Sequence, residues 1–181
     1  MNDESIEPTV YDAIINLINP SNCEIASQLN SFLVTKLGNK PFDFISDIIT
    51  KLLDETIPQI NSFYLLVSLN NAISTRLRPV RAFCNNWQKI MTLVANNLGL
   101  SDDEDQLKEI VDNFHSRLIC FLNDDKIEVR ENASLCVSRL FYIEYMIDLW
   151  DDFFPNIFDT IKDLSSNPNI IDSSFRILIQ L

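Results

Sequence analysis

The chain has 181 residues, of which 46% are hydrophobic and 22% charged, so it is long and apolar enough to fold around a core of its own. Its two glycines are too few for a glycine-rich phosphate loop or a dinucleotide fingerprint. The net charge of −12 disfavours nucleic acid and anionic lipid, so we expect a protein partner.

The cysteines and the single histidine predict no metal site. Cys23, Cys84, Cys120 and Cys136 lie far apart without a Cys-x-x-Cys pair, and His115 is the only histidine, so a zinc site of usual spacing cannot be assembled. Each cysteine lies in an apolar helical stretch, which indicates small buried side chains in a reducing compartment. The acidic start and the short apolar stretches predict neither a signal peptide nor membrane insertion, and no cofactor is expected.

Seven prolines punctuate the chain, and between them apolar residues recur every three or four positions, which is the spacing of one helix face. In chain order, this pattern predicts two helical hairpins, one additional helix, and two further hairpins. The hairpins span about 8–37, 41–78, 104–143 and 147–181, and the additional helix spans about 82–98.

Residues at the ends of these segments support the assignment. Ser21 and Asn22 are good N-caps for the second helix, and Gly38 is placed to end it. Gly99 is a plausible C′ residue for the additional helix. Ser101, followed by four acidic residues, brings a capping side chain and negative charge to the start of the next helix.

No segment alternates in polarity for long enough to predict a sheet, so the fold class is all-α. Hairpins that repeat about every 40 residues are typical of a solenoid, in which each hairpin buries its face against its neighbours. The prediction is a right-handed α-solenoid of about four HEAT-type hairpins, the last incomplete or uncapped. The apolar C-terminal end suggests a truncated receptor, a fragment, or an end that associates.

One turn in the third hairpin is similar to the HEAT turn. Residues 122–133 combine a short acidic turn with Val129, Arg130 and Ala133 at the start of the second helix. An Asp at the turn can cap that helix, Arg130 can reach the turn of the neighbouring repeat, and Ala133 allows close helix packing.

Three short motifs then follow one another along nearly the whole chain. They are Leu69-Asn70-Asn71, Phe83-Cys84-Asn85-Asn86-Trp87, and Ile143-Glu144 followed by Trp150. In order and spacing they resemble the amino-terminal repeats of the importin-β family, which carry Leu-Lys-Asn, Phe-x-x-x-Trp and Ile-Glu with a later Trp. Asn70 stands where the family has lysine, which removes a charged donor.

The resemblance implies a superhelical transport receptor, not an enzyme, that shuttles between cytoplasm and nucleus. Such receptors bind the small GTPase Ran in its GTP form through the inner helices of their first repeats. Nucleoporins and cargo or adaptors bind later repeats, which this chain lacks. The implied partner-binding residues on inner helices are Asn70, Asn71, Gln28, Asn30, Asn132 and Glu144.

Two other functions stay open at this point. One is a HEAT-repeat scaffold for protein interactions without a transport role. The other is a hydrolase that uses Asp112 and His115, although a surface contact between these residues, three positions apart on one helix, is favoured. Trp87 and Trp150 could anchor a partner, but their periodic settings favour core packing.

Overall fold

The computed structural model describes residues 8–76, 84–145, 153–163 and 167–181. Helices make up 84% of these residues and no strand occurs among them, which confirms the all-α fold class. No helix in these ranges is long and apolar enough to cross a membrane. The helices are α1 (Val10–Ile18), α2 (Cys23–Asn39), α3 (Pro41–Leu53), α4 (Gln59–Arg76), α5 (Cys84–Leu98), α6 (Glu104–Leu122), α7 (Ile127–Tyr145), α8 (Phe153–Lys162) and α9 (Pro168–Gln180).

Two of the predicted helix ends are confirmed. The Asn22 side chain caps α2 by accepting a hydrogen bond of 2.8 Å from the backbone N–H of Ile25. Gly99 follows α5 with a φ of +70°, the left-handed conformation that glycine adopts most readily.

Two other predicted ends are wrong in detail. Helix α2 runs through Gly38 and ends at Asn39, so this glycine is not its C′ residue. Asp103, not Ser101, caps α6, because its carboxylate accepts the backbone N–H of Gln106 at 3.0 Å. The hydroxyl of Ser101 donates to that same carboxylate and supports the cap from outside the helix.

The helices pack as two rows joined by hairpins. In the first row α7 lies between α4 and α9, and in the second α5 packs against both α3 and α6. The hairpin partners α3 and α4, and likewise α6 and α7, connect the two rows. At the amino-terminal end, α1 packs against α2, α3 and α4, whereas α2 packs against α1 and α3. We refer to the two sets as the α4–α7–α9 row and the α3–α5–α6 row.

The core lies between the two rows. Trp87 is fully buried, which confirms its predicted place in the core, while Trp150 lies outside the described residues. The largest fully buried side chains are Trp87, Phe114, Ile45, Ile48, Ile49, Leu52, Leu65, Leu66, Leu69, Ile90 and Leu118.

The cysteine prediction holds at one of the three positions whose side chains are described. Cys136 is buried, and burial raises the pKa of its thiol to about 12. Cys23 and Cys120 are exposed, so the prediction of buried side chains is wrong for both. The side chain of Cys84 lies outside the described residues.

Candidate protein-binding surface

Arg130 joins the last two described hairpins. It lies one turn into α7, and its Nη1 donates hydrogen bonds of 2.9 and 3.1 Å to the backbone carbonyls of Asp124 and Asp125. Its Nη2 lies 3.4 Å from Oδ2 of Asp172 on α9. The sequence predicted that Arg130 would reach the neighbouring turn, but the guanidinium holds its own turn and contacts the neighbouring helix.

A second arginine strengthens the same junction. Arg176 on α9 donates to Asp172 at 2.9 Å and to Glu131 on α7 at 2.8 Å. The hydrogen bond from Arg176 is the main reason that the pKa of Asp172 lies below its usual range, and Arg130 contributes in the same direction. Charged hydrogen bonds therefore fix α9 beside α7.

Asn70 lies in the interface between α4 and α7. Its Nδ2 donates to the backbone carbonyl of Asn132 at 2.9 Å, and Arg139 Nη1 donates to the Asn70 backbone carbonyl at 2.7 Å. The residue is only 3% exposed. Its role in this structure is therefore to join two helices of the α4–α7–α9 row, because a buried amide must be paired within the protein.

A buried polar cluster joins α5, α6 and α7. His115 Nε2 on α6 lies 2.7 Å from Glu144 Oε2 on α7, and the Glu144 side chain is 0% exposed. Burial raises the pKa of Glu144, against the effects of the neighbouring His115 and, to a smaller extent, the Trp87 indole on α5, which act to lower it. The expectation that His115 makes a surface contact is wrong: its ring is turned into the core, while Asp112 is exposed.

The six predicted partner-binding residues therefore separate into two groups. Asn70 and Glu144 are buried and Asn132 is partly buried. Inside the fold, Asn70 of α4 contacts Asn132 of α7, and Glu144 contacts His115. Asn71 on α4 is exposed, as are Gln28 and Asn30 on α2. Only Asn71, Gln28 and Asn30 present an exposed side chain to a partner, and their binding role stays a prediction.

Sequence reasoning missed three residues that complete these interfaces. Arg139 follows Asn132 by seven positions on α7, which places both side chains on one helix face toward α4. Asp172 and Arg176 are four positions apart on α9, the spacing of a helical ion pair. Both spacings are visible in the sequence, but the sequence does not show which neighbouring helix these side chains contact.

The described residues contain no group of three or more side chains that could hold a metal ion. Comparison of the chain with protein-family models, with curated proteins and with solved structures finds no match. The packing of the helices and the positions of their side chains are therefore the basis for a functional proposal.

Proposed function

We propose that the chain is a HEAT-type right-handed α-solenoid that acts as the amino-terminal part of an importin-β-like nuclear transport receptor. It binds a Ran-type GTPase in its GTP form, shuttles between cytoplasm and nucleus, and is not an enzyme. The observation that supports this most is the α4–α7–α9 row, in which second helices of successive hairpins pack side by side and Arg130 links one hairpin to the next.

The exposed side chains of this row suit a protein partner. They include Asn71 on α4, Glu131 and Tyr142 on α7, and Phe175 on α9, of which Tyr142 is 48% and Phe175 50% exposed. Aromatic residues contribute strongly to protein interfaces when polar groups surround them. The row therefore offers both aromatic and polar side chains to a GTPase.

The direct test is calorimetry of the folded chain with Ran locked in its GTP form and, separately, in its GDP form. We expect the GTP form to bind at least about tenfold more tightly, a difference of about 1.4 kcal/mol. Binding of neither form, or equal binding of both, by a chain that circular dichroism shows to be helical would overturn the proposal.

Two asparagine variants sharpen this test. Asn71→Ala removes an exposed side chain from the α4–α7–α9 row, and we expect weaker binding of the GTP form. Asn96→Ala removes the same group from the exposed surface of α5 in the other row, and we expect unchanged binding. Equal losses in the two variants would show that the row does not carry the contact.

The position of Asn70 favours the second candidate, a HEAT-repeat scaffold without a transport role. The family resemblance places a lysine here, yet Asn70 is buried and accepts a hydrogen bond from Arg139. Asn70→Lys would bring a second cation beside Arg139, so loss of stability is expected rather than restored binding. A folded wild-type chain that binds neither the GTP form nor the GDP form of Ran would support the scaffold function.

A further inference from the structure

A groove of about 420 Å³ lies on the α3–α5–α6 row, away from the residues assigned to the GTPase. It is bounded by the ends of α3 and α5 and by one face of α6. The residues that line it are Leu53, Glu55, Leu98, Leu100, Ile110 and Arg117, together with polar side chains of α6 and Cys120.

The apolar part of the groove is fixed by the way in which α5 ends. The backbone N–H of Gly99 donates to the carbonyl of Asn96 at 3.1 Å, and that of Leu100 donates to the carbonyl of Ala95 at 2.9 Å. These two bonds and the positive φ of Gly99 form a Schellman motif, which ends the helix and fixes the direction of the next residue. Leu98 and Leu100 are thereby held on the surface, 41% and 42% exposed.

The charge at the groove is negative. Glu55 and Glu109 line it and are both exposed. Among the described residues that line the groove, Arg117 is the one cation. Its Nε donates to the Leu52 carbonyl at 3.1 Å, and its guanidinium lies 4.7 Å from the Phe121 ring centroid. Four acidic residues, 102–105, directly precede the lining residue Gln106. The arginine is held by the protein, whereas the carboxylates face solvent.

We propose that this groove binds a peptide segment of a partner protein in which one large apolar side chain is flanked by lysines or arginines. The apolar side chain packs between Leu98, Leu100 and Ile110, where it covers leucines that are otherwise exposed to water. The flanking cations pair with Glu55 and Glu109. This surface is separate from the α4–α7–α9 row, so peptide binding at the groove and GTPase binding at the row can be tested independently.

The first experiment uses three fluorescent 12-residue peptides and the full chain. One peptide carries a central leucine flanked by arginines, the second has glutamates in place of the arginines, and the third has serine in place of the leucine. We expect the first to bind at least about tenfold more tightly than either of the others, because it alone supplies both contacts. Equal binding of the first and third peptides would overturn the proposal, since it would show unspecific charge attraction.

Paired charge variants locate the contact. We expect Glu55→Gln with Glu109→Gln to weaken binding of the first peptide about three- to tenfold, as loss of two exposed ion pairs predicts. The matched control, Glu24→Gln with Glu128→Gln, removes the same charge from exposed positions on α2 and α7, away from the groove, and should leave affinity unchanged. An equal loss in both pairs would contradict a site at the groove.

The native cysteines allow the groove to be blocked without changing its charge. With Cys23→Ser and Cys84→Ser, a bulky maleimide modifies exposed Cys120 in the groove lining; with Cys120→Ser and Cys84→Ser, it modifies exposed Cys23 on α2. We expect the first protein to lose peptide binding and the second to keep it. Binding that survives modification of Cys120 would overturn the proposal, whatever the outcome with Ran.

Discussion

Helices α2 and α6 are nearly equal in length, with 17 and 19 residues, but they are buried to very different extents. Both begin with a side-chain cap, from Asn22 and Asp103 respectively. Seven residues of α6 are buried, whereas none of α2 is. The two helices therefore start in the same way, and the number of neighbouring helices decides how much of each is removed from water.

The neighbours account for this difference. Helix α6 packs against α3, α5, α7 and α9, whereas α2 packs against α1 and α3 at one end of the fold. Ile25 and Val34 of α2 are consequently 37% and 61% exposed. Because helix stability in proteins comes mainly from tertiary packing, α2 should open locally at a lower free energy than α6.

The largest effect is expected at the buried pair that joins His115 of α6 to Glu144 of α7, since no residue of α2 is buried. His115→Ala removes the polar partner that lies 2.7 Å from the fully buried Glu144 carboxylate. We expect a loss of about 3–5 kcal/mol in the free energy of unfolding, measured by urea titration. Asp112→Ala, at an exposed position of the same helix, should change stability by less than about 0.5 kcal/mol. Similar losses in the two variants would remove the distinction between the core and the surface of α6.

Truncation of a matched leucine compares the two helices directly. Leu118 on α6 is fully buried and Leu29 on α2 is partly exposed. We expect Leu118→Ala to cost about 2–5 kcal/mol and Leu29→Ala less than half as much, since less apolar surface returns to water. Equal costs in urea titrations would show that α2 is as firmly packed as α6.

The buried carboxylate also gives stability a pH dependence. Burial raises the pKa of Glu144 in the folded chain, whereas an unfolded glutamate titrates near ~4.3. The folded state then holds the proton more tightly, so this contribution is complete below the unfolded pKa and is lost as pH rises through the folded pKa. We expect wild type to lose stability relative to Glu144→Gln as pH rises above about 4.3, the pKa of an unfolded glutamate. A stability difference that is constant or of opposite sign would contradict this.

The smallest effect is expected from the cap of α2. Asn22→Ala removes the 2.8 Å hydrogen bond to the backbone N–H of Ile25. We expect a local cost of about 1 kcal/mol, visible as about fivefold faster hydrogen exchange of α2 amides with little change in α6. Faster exchange in both helices would show that α2 and α6 open together.

The sequence predicts the helices well because apolar spacing and capping residues act within one segment. Asn22 caps α2 as expected, Gly99 follows α5 in the left-handed conformation, and Trp87 lies in the core. Gly38 is one exception, since glycine is permitted in a helix as well as after one, and Ser101, displaced as the cap of α6 by Asp103, is another. The φ of Gly38 is decided by the continuation of α2 to Asn39.

The candidate site is predicted less well because burial of a polar residue depends on a distant partner. Nothing near His115 in sequence indicates Glu144, which lies 29 residues later on another helix. Asn70 similarly finds Arg139 only because α4 and α7 pack together. A polar residue on an apolar helix face is compatible with a binding surface or with an internal hydrogen bond, and only tertiary packing decides between them.

The buried thiol of Cys136 provides a native probe for the opening of the fold. It lies under Leu66, at 3.9 Å from that residue's carbonyl oxygen, and its pKa of about 12 leaves almost no thiolate at neutral pH. Since the thiolate is the form that reacts with alkylating agents, Cys136 is modified only when α4 and α7 separate. The rate of alkylation of Cys136 therefore reports how often α4 and α7 separate within the α4–α7–α9 row.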